Sequence, residues 1–511
     1  MKKYTFNWVQ TAAVVAILTF ASKPIGFLRE MLMANYFGTS HVTDAYVMAQ
    51  SIPTIVFGAV FSSVAIAFVP IFSNTIEEKG LVMGNRFTSS AMNILIIVST
   101  IASIIGLILS DQIVSLFASG FNEETAQLTS FYLKISFFTL IFSSMFGILE
   151  DYLKYKGSFF SPVISGYPLN IFLILSVVIS AYTNSKFLIF GLLLGTITKF
   201  FIDLLFARKK GFKYYLDINA NNAISKIVKL SLPVFASSMV SQVALFINKT
   251  LASGLKTGSV AALNYGNMLV GMISGLTTGI ITTMTYPKLS QAATLKDYSK
   301  MNDILSLGVV LNAIISIPIT LGSMLYSKQI IHILFERGAF DSTSTQMTAT
   351  VFFFYSISMF FTTFNGLQWQ CFYSMHDTKT PLMLGIIGIV LDIVLNISLV
   401  GPLASGGLAL ATSIGAVIMS LISHIALTKK HPEIRMVKSK EKMLKIIIAS
   451  VIAISISRLA YSAINLFANT SLYFQVLQIG LVVCIAGVIY YFLLRLMKIQ
   501  ELDLLKLIIK K

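Results

Sequence analysis

Cysteine, histidine and charge are all scarce in this 511-residue sequence, and each shortage removes a class of function. The two cysteines, Cys371 and Cys484, sit alone inside apolar runs without a companion at zinc or redox spacing, so they read as packing residues. Five histidines are scattered with no His-x-x-x-His pair, which leaves a transition metal without a ligand set. No Gly-rich phosphate loop follows a strand, because no convincing strand is present, and direct nucleotide hydrolysis is not expected. The chain reads as a non-enzyme without an organic cofactor. Charged residues make up 12% of the sequence against 56% hydrophobic, too few to coat a soluble fold of this length.

What the sequence has instead is apolar runs of about 20 residues, each long enough to cross a hydrocarbon core of about 30 Å as a helix. A β-barrel would alternate every second residue, and this chain does not. The runs predict an all-α integral membrane protein of about fourteen transmembrane helices. Six are expected near 7–36, 42–72, 84–109, 126–152, 159–182 and 186–207. Six more follow near 224–253, 259–289, 300–325, 343–374, 380–400 and 405–428, and two last ones near 443–466 and 471–496. Lys2 and Lys3 precede the first run, but Lys23, Pro24 and Arg29 stand where a signal peptide would carry small residues, so the first span is expected to be retained.

The formal net charge of +17 follows from topology. With the N-terminus inside, the outer side holds only Lys186, Lys249, Lys256, Lys328 and Arg337, and most of the 38 basic residues stay on the cytoplasmic side. Both termini are therefore expected inside. Basic inner loops facing anionic lipid explain the charge without nucleic acid. The stretch from Lys498 to Lys511 reads as an interfacial helix.

A repeat with a period near 217 residues organises the chain. Gly58, Pro70 and Ser73 recur as Gly275, Pro287 and Ser290; Pro162 and Gly166 recur as Pro381 and Gly385; Gly191-Leu192 recurs as Gly407-Leu408. Two six-helix lobes, 1–217 and 218–432, related by an axis along the membrane normal are predicted, with 433–511 adding two further spans and the interfacial helix. Two repeats in one chain can enclose a cavity alone, so a monomer is expected.

Charges inside apolar spans cost about 2.5–3.5 kcal/mol each on insertion scales, which makes them the candidates for function. Ser22, Lys23 and Pro24 interrupt the first span, Arg29-Glu30 follow, Asp44 opens the second span and Thr54 follows Pro53 within it. These could line a positively charged wall suited to a phosphate. The competing readings are a local ion pair of Arg29 with Glu30 or Asp44, and helix capping by Asp44. Asn248, Lys249 and Asn267 could supply the opposite wall or merely solvate helix ends. Asp392 and Asn396 share one helix face four residues apart, with Thr412 on the next span. Their oxygens suit a hard cation, a proton relay or an interhelical hydrogen-bonded cluster. Lys199 and Arg458 read as snorkelling residues near span ends.

Several short blocks, in order, resemble the MurJ (MviN) family of lipid II flippases. They are Gly26-Phe27-Leu28-Arg29-Glu30, Phe37-Gly38, Thr43-Asp44-Ala45-Tyr46, Ala67-Phe68-Val69-Pro70, Ser241-Gln242, Ile247-Asn248, Gly258-Ser259-Val260, Arg337-Gly338-Ala339-Phe340, Phe372-Tyr373, Lys379-Thr380-Pro381 and Gly401-Pro402-Leu403. The resemblance implies the fold of the multidrug/oligosaccharidyl-lipid/polysaccharide exporter superfamily and a central cationic cavity in the bacterial cytoplasmic membrane. It also implies a substrate, the undecaprenyl-pyrophosphate-linked cell-wall precursor lipid II. On this resemblance Arg29 and Asp44 match polar cavity positions, Lys23 stands where an arginine is usual, and Asp392, Asn396 and Thr412 fall at a sodium site of some relatives. Phe57 and Met268 stand where many relatives carry arginines, a loss that Lys249 or Lys256 would have to offset. The alternatives are a flippase for another undecaprenyl-pyrophosphate-linked oligosaccharide, a drug or cation antiporter of the same superfamily, and a glycosyltransferase acting on lipid-linked sugars. An antiporter would need an acidic cavity. The transferase would need a sizeable soluble loop or paired carboxylates, which the short connections do not provide.

Overall fold

A computed structural model describes residues 8–218, 220–465 and 472–503, and among them every regular element is helical. Part of the interfacial helix expected over 498–511 therefore lies outside the described residues. The chain divides into two compact units, one formed by the sequence up to Ala261 with Arg337–Phe340, the other by Ala262–Glu336 and the chain from Asp341 onward. Among the described residues, ten helices are long and apolar enough to cross a membrane.

In the first unit, α1 (Trp8–Phe37) is followed by α2 (His41–Ile108), the short α3 (Ser110–Phe117), α4 (Glu123–Tyr155), α5 (Ser161–Tyr182), α6 (Leu188–Lys209) and α7 (Ala223–Ser253). A straight 68-residue α2 would be about 100 Å long, far more than one crossing needs. It doubles back at Gly80: the rings of Phe68 and Phe87, nineteen residues apart, stack with centroids 5.8 Å from each other. These rings, with Phe72 and Tyr152, form the centre of an aromatic core between the two halves of α2 and α4. Helix α7, grouped with the second half by the sequence repeat, packs against α2 in the first unit, with Gln242 over Gly58 and Ser62 donating to Ser238.

The helix α8 (Ser259–Thr294) begins in the first unit and continues into the second. There α9 (Tyr298–Leu325) and α10 (Ser327–Phe335) follow, then α11 (Ser342–Ser356) and α12 (Ser358–Ser374), which split the span expected over 343–374 at Ile357. The 52-residue α13 (Lys379–Lys430) reverses at Ala404, and Gly388 comes to rest against Met419. Last, α14 (Val437–Asn465) and α15 (Leu472–Leu496) pack on α9. The repeat has a packing counterpart inside each unit. A Cβ on Gly191 would meet the Phe172 carbonyl at 2.7 Å, and one on Gly407 would meet the Leu399 carbonyl at 2.0 Å, so both glycines allow a helix to back onto the chain that precedes it.

The turn into α13 carries a pH-sensitive contact. Partial burial alone would raise the Asp377 carboxyl, but the Lys430 ammonium at 2.8 Å and the Thr380 hydroxyl and N–H at 2.6 and 3.0 Å hold it down at about 2. A depressed folded-state pKa stabilises the fold above the unfolded value near 4, and that contribution disappears as pH falls toward the folded value. Asp377→Asn should therefore lower the melting temperature of the detergent-solubilised protein at pH 7. The gap from the parent should close between about pH 4 and pH 2, and a gap constant across this window would refute the assignment.

Candidate functional site

The polar residues of α1 and α2 form two distinct sites within the first unit. Arg29 points its Nε and Nη2 at the Glu30 carboxylate and its Nη1 at the Asn170 Oδ1 of α5, 3.4 Å away. The local ion pair is thus real, yet the guanidinium keeps further N–H donors of its five and remains 31% exposed. Asn170 is itself oriented, since its amide nitrogen donates to the Gly166 carbonyl at 3.1 Å and leaves the oxygen facing Arg29. Gly26 lies beside this amide, the Asn170 oxygen standing 3.9 Å from where a Cβ would be, an ordinary contact distance. Lys23 and Ser22 are half-buried on the same helix.

Asp44 does different work. Its Oδ2 accepts from the Gly258 N–H at 2.5 Å and its Oδ1 from the Ala261 N–H at 2.7 Å, at the start of α8. The first N–H groups of a helix have no partner within it, and the helix dipole adds positive potential there, so a buried carboxylate is well matched. Asp44 therefore caps a helix more than two hundred residues away and not its own. Lys249, on α7, lies within electrostatic reach of the carboxylate.

Main chain completes this end of the unit. Arg337–Phe340 inserts beside α1, with the Ala339 N–H donating to the Asn35 carbonyl at 2.8 Å. Gly338 has φ 58° and Gly258 has φ 90°, and a Cβ would stand 2.3 Å from the Asn35 carbonyl oxygen in the first case and 2.2 Å from the Thr39 carbonyl oxygen in the second. Only glycine permits both the left-handed backbone and the approach. Asp44, Gly258 and Gly338 together form a latch of carboxylate and backbone.

The remaining candidates are dispersed. Thr54 is exposed on α2 and bonds back to the Gln50 carbonyl, and Phe57 packs beside Phe61. Asn248 is half-buried beside Lys249, whereas Lys256 is exposed in the loop before α8. Asn267 is exposed on the part of α8 that belongs to the second unit.

In that unit Tyr355 is the side chain that links Thr412 with the neighbourhood of Asp392. The Asn396 amide donates to the Asp392 carbonyl at 2.7 Å, Tyr355 hydrogen-bonds Thr412 and lies near Asp392, and Thr412 donates to the Leu408 carbonyl. Asn396 is fully buried and its Oδ1 has no hydrogen-bond partner, an orphaned acceptor of the kind a hard cation would engage. Among the described residues no three His, Cys, Asp or Glu side chains gather as metal ligands, so such a site would draw on amide and hydroxyl oxygens beside Asp392.

Lys199 corrects the snorkelling expectation. It is 7% exposed and pairs with Glu150 at 2.5 Å and Asp203 at 3.3 Å, while donating to Ser165 at 3.1 Å. The four-residue spacing of Lys199 and Asp203 on one helix face was a readable sign of this pair. Asn170 was missed because it is uncharged, though a polar amide two residues after Pro168 in an apolar span is a visible irregularity.

Known proteins of similar sequence and structure point one way. The family profile described as "Lipid II flippase MurJ" matches residues 33–486. The "Probable lipid II flippase MurJ" of Buchnera aphidicola subsp. Baizongia pistaciae is 27% identical over 500 residues, covering 96% of each chain. That of Vibrio cholerae serotype O1 is 28% identical over 430 residues, 80% of each chain. The solved structure "Lipid II flippase MurJ, inward closed conformation" superposes with a TM-score of 0.80 at 25% identity, covering 94% of this chain and 99% of the other. An inward-facing multidrug resistance MATE family transporter of the MOP superfamily shares the fold, with a TM-score of 0.67 at 14% identity over 81% of this chain and 95% of that one.

Proposed function

Since the chain belongs to the MurJ family of lipid II flippases, we propose that it carries lipid II from the inner to the outer leaflet of the bacterial cytoplasmic membrane by alternating access. The observation that carries the mechanism is the Arg29 guanidinium, kept charged and partly open in a helix of a membrane protein. Isolated charges moved through hydrocarbon cost on the order of tens of kcal/mol. Positively charged donors along the route replace the water that the pyrophosphate loses. Arg29 is the best placed of these donors, Glu30 is the counterion that the headgroup would displace, and Lys23 adds charge.

Ten membrane-crossing helices, the reversals within α2 and α13, and the lengths of α1 and α7 support fourteen crossings in two pseudosymmetric six-helix lobes with α14 and α15 appended. The basic loops support both termini in the cytoplasm. In that orientation the latch at Asp44 faces outward, and its closed form shields the substrate route from the outside until the headgroup has been taken up. Asp44 then acts as a gate residue, and Lys249 as its counterion. The protein works as a monomer without chemical catalysis.

Asp392, Asn396 and Thr412 would hold a sodium ion, the orphaned Asn396 oxygen being the strongest reason. A bound cation there would supply fixed positive charge to a carboxylate and two neutral oxygens and so couple their arrangement to an ion gradient. The test is exposure of labelled lipid II on the outer leaflet of proteoliposomes, with and without this protein and with and without sodium. We expect exposure to need the protein, and the sodium response to vanish in Asp392→Ala. Equal exposure in protein-free vesicles would end the transport reading, and indifference of the parent to sodium would end the ion site alone.

A further inference from the structure

The first unit buries more acid than base in one place. Glu150 on α4 and Asp203 on α6 both face the ammonium of Lys199, and the Asp203 side chain is fully buried. Helix α5, which packs on α6, brings Ser165 and carries no charged residue of its own. The next charges on α4, Asp151 and Lys154, pair with each other at 3.0 Å, and the half-exposed Lys154 comes only within 3.8 Å of Glu150. Lys199 and Glu150 are accordingly the charges that act most strongly on Asp203.

The ammonium is not shared evenly. It stands 2.5 Å from Glu150 Oε1 and 4.5 Å over the Phe146 ring, but 3.3 Å from Asp203 Oδ2, beyond the roughly 2.7–2.9 Å of a charge-assisted bond. The other oxygen, Asp203 Oδ1, finds no hydrogen-bond partner among the described residues. Ser165 does not serve it, because its hydroxyl accepts from Lys199 at 3.1 Å and directs its one hydrogen to the Pro162 carbonyl at 3.0 Å. With both carboxyls ionised, the cluster would hold an uncompensated negative charge, and one carboxylate oxygen would face neither a donor nor water. One proton removes the imbalance.

We propose that Asp203 is a proton-binding site coupled to transport, its Oδ1 taking a proton from cytoplasmic water and returning it when water enters. Both acids lie within two turns of the C-terminal ends of α4 and α6, the cytoplasmic ends in the orientation given above. Glu150, 22% exposed at its side chain, marks the way in. Uptake joins a proton to the carboxylate and takes the cluster from one net negative charge to none; release reverses this and changes no other group. A conformation that wets this end favours the carboxylate and one that keeps it dry favours the acid, so proton and conformation are linked reciprocally. The site is separate from Asp392, which belongs to the other unit. Its coupling to transport rests on the flippase reading, whereas the proton site itself does not.

Full-length protein in liposomes, with its aspartate carboxyls isotope-labelled, would be examined by infrared difference spectroscopy between neutral and alkaline pH. The parent should show, at neutral pH, the C=O stretch of a protonated aspartic acid that disappears on alkalinisation. Asp203→Asn should lack that band and unfold at the parent's temperature, since the amide resembles the neutral acid. Glu150→Gln should lose the band with Asp203 in place, because Lys199 then takes Asp203 as its counterion. Absence of the band in the parent, its full survival in either variant, or failure of Asp203→Asn to fold would each overturn the proton site. In the same vesicles, lipid II exposure by the parent should slow severalfold at alkaline pH, and Asp203→Asn should flatten that dependence. A variant that keeps the parent's pH profile would overturn the coupling. A parent that shows the band but exposes no lipid II would fail the flippase reading and leave the proton site standing.

Discussion

Cells depleted of their own flippase and supplied with the Asp44→Ala variant should fail to grow, although the protein is made and inserted. The mutation strips the start of α8 of its anion: the Gly258 and Ala261 N–H groups lose their acceptor. The two buried donors left without partners cost about 1–3 kcal/mol each. A penalty of about 4 kcal/mol on the closed latch alone would shift its equilibrium roughly a thousandfold toward opening. Asp44→Asn keeps one acceptor oxygen and should be milder. The direct measurement places a cysteine at Thr39 in a background lacking Cys371 and Cys484 and follows its reaction with an impermeant thiol reagent. Labelling should be much faster with Asp44→Ala than with the parent Asp44. Equal labelling would show that the carboxylate does not hold the latch.

Arg29→Ala should lower lipid II exposure by roughly 10- to 100-fold, the loss of one charged hydrogen-bonding group of about 1.5–3 kcal/mol. Arg29→Lys should recover only part, because an ammonium cannot fork between a carboxylate, an amide and a phosphate. The single variant alone is ambiguous, since it also leaves Glu30, only 13% exposed at its side chain, without its partner. The double variant Arg29→Ala/Glu30→Gln removes both charges and should restore folding stability while transport stays low. Recovery of transport in the double variant would mean that the pair serves the fold and that the headgroup is held elsewhere.

The helices were legible because their cause is local: lipid demands long uninterrupted apolar runs, and Gly, Pro and charge mark their ends. The reversal at Gly80 agrees with spans expected over 42–72 and 84–109. The sites were legible only as an inventory of costly residues. Arg29 pairing with Glu30 could be foreseen from adjacency, but the Asn170 contact joins positions 141 apart. Asp44 looked like a cap for its own helix, because sequence shows which residues can accept N–H bonds and not whose N–H groups arrive. Gly258 and Gly338 stood out within blocks that resemble the family, yet the carbonyls that forbid a side chain there belong to Thr39 and Asn35, far away in the chain. Lys199 was misread for the same reason, as one of its acids, Glu150, lies on another helix.

That last cluster has a mechanical consequence. Glu150, Ser165, Lys199 and Asp203 knit α4, α5 and α6 together where little solvent reaches, and sliding any of these helices past the others would strand a charge at a penalty of several kcal/mol. Such a slid arrangement would be populated only about one part in a hundred to one in ten thousand. The three helices should therefore behave as a stiff lever arm, with flexure confined to the glycine- and proline-bearing segments around them.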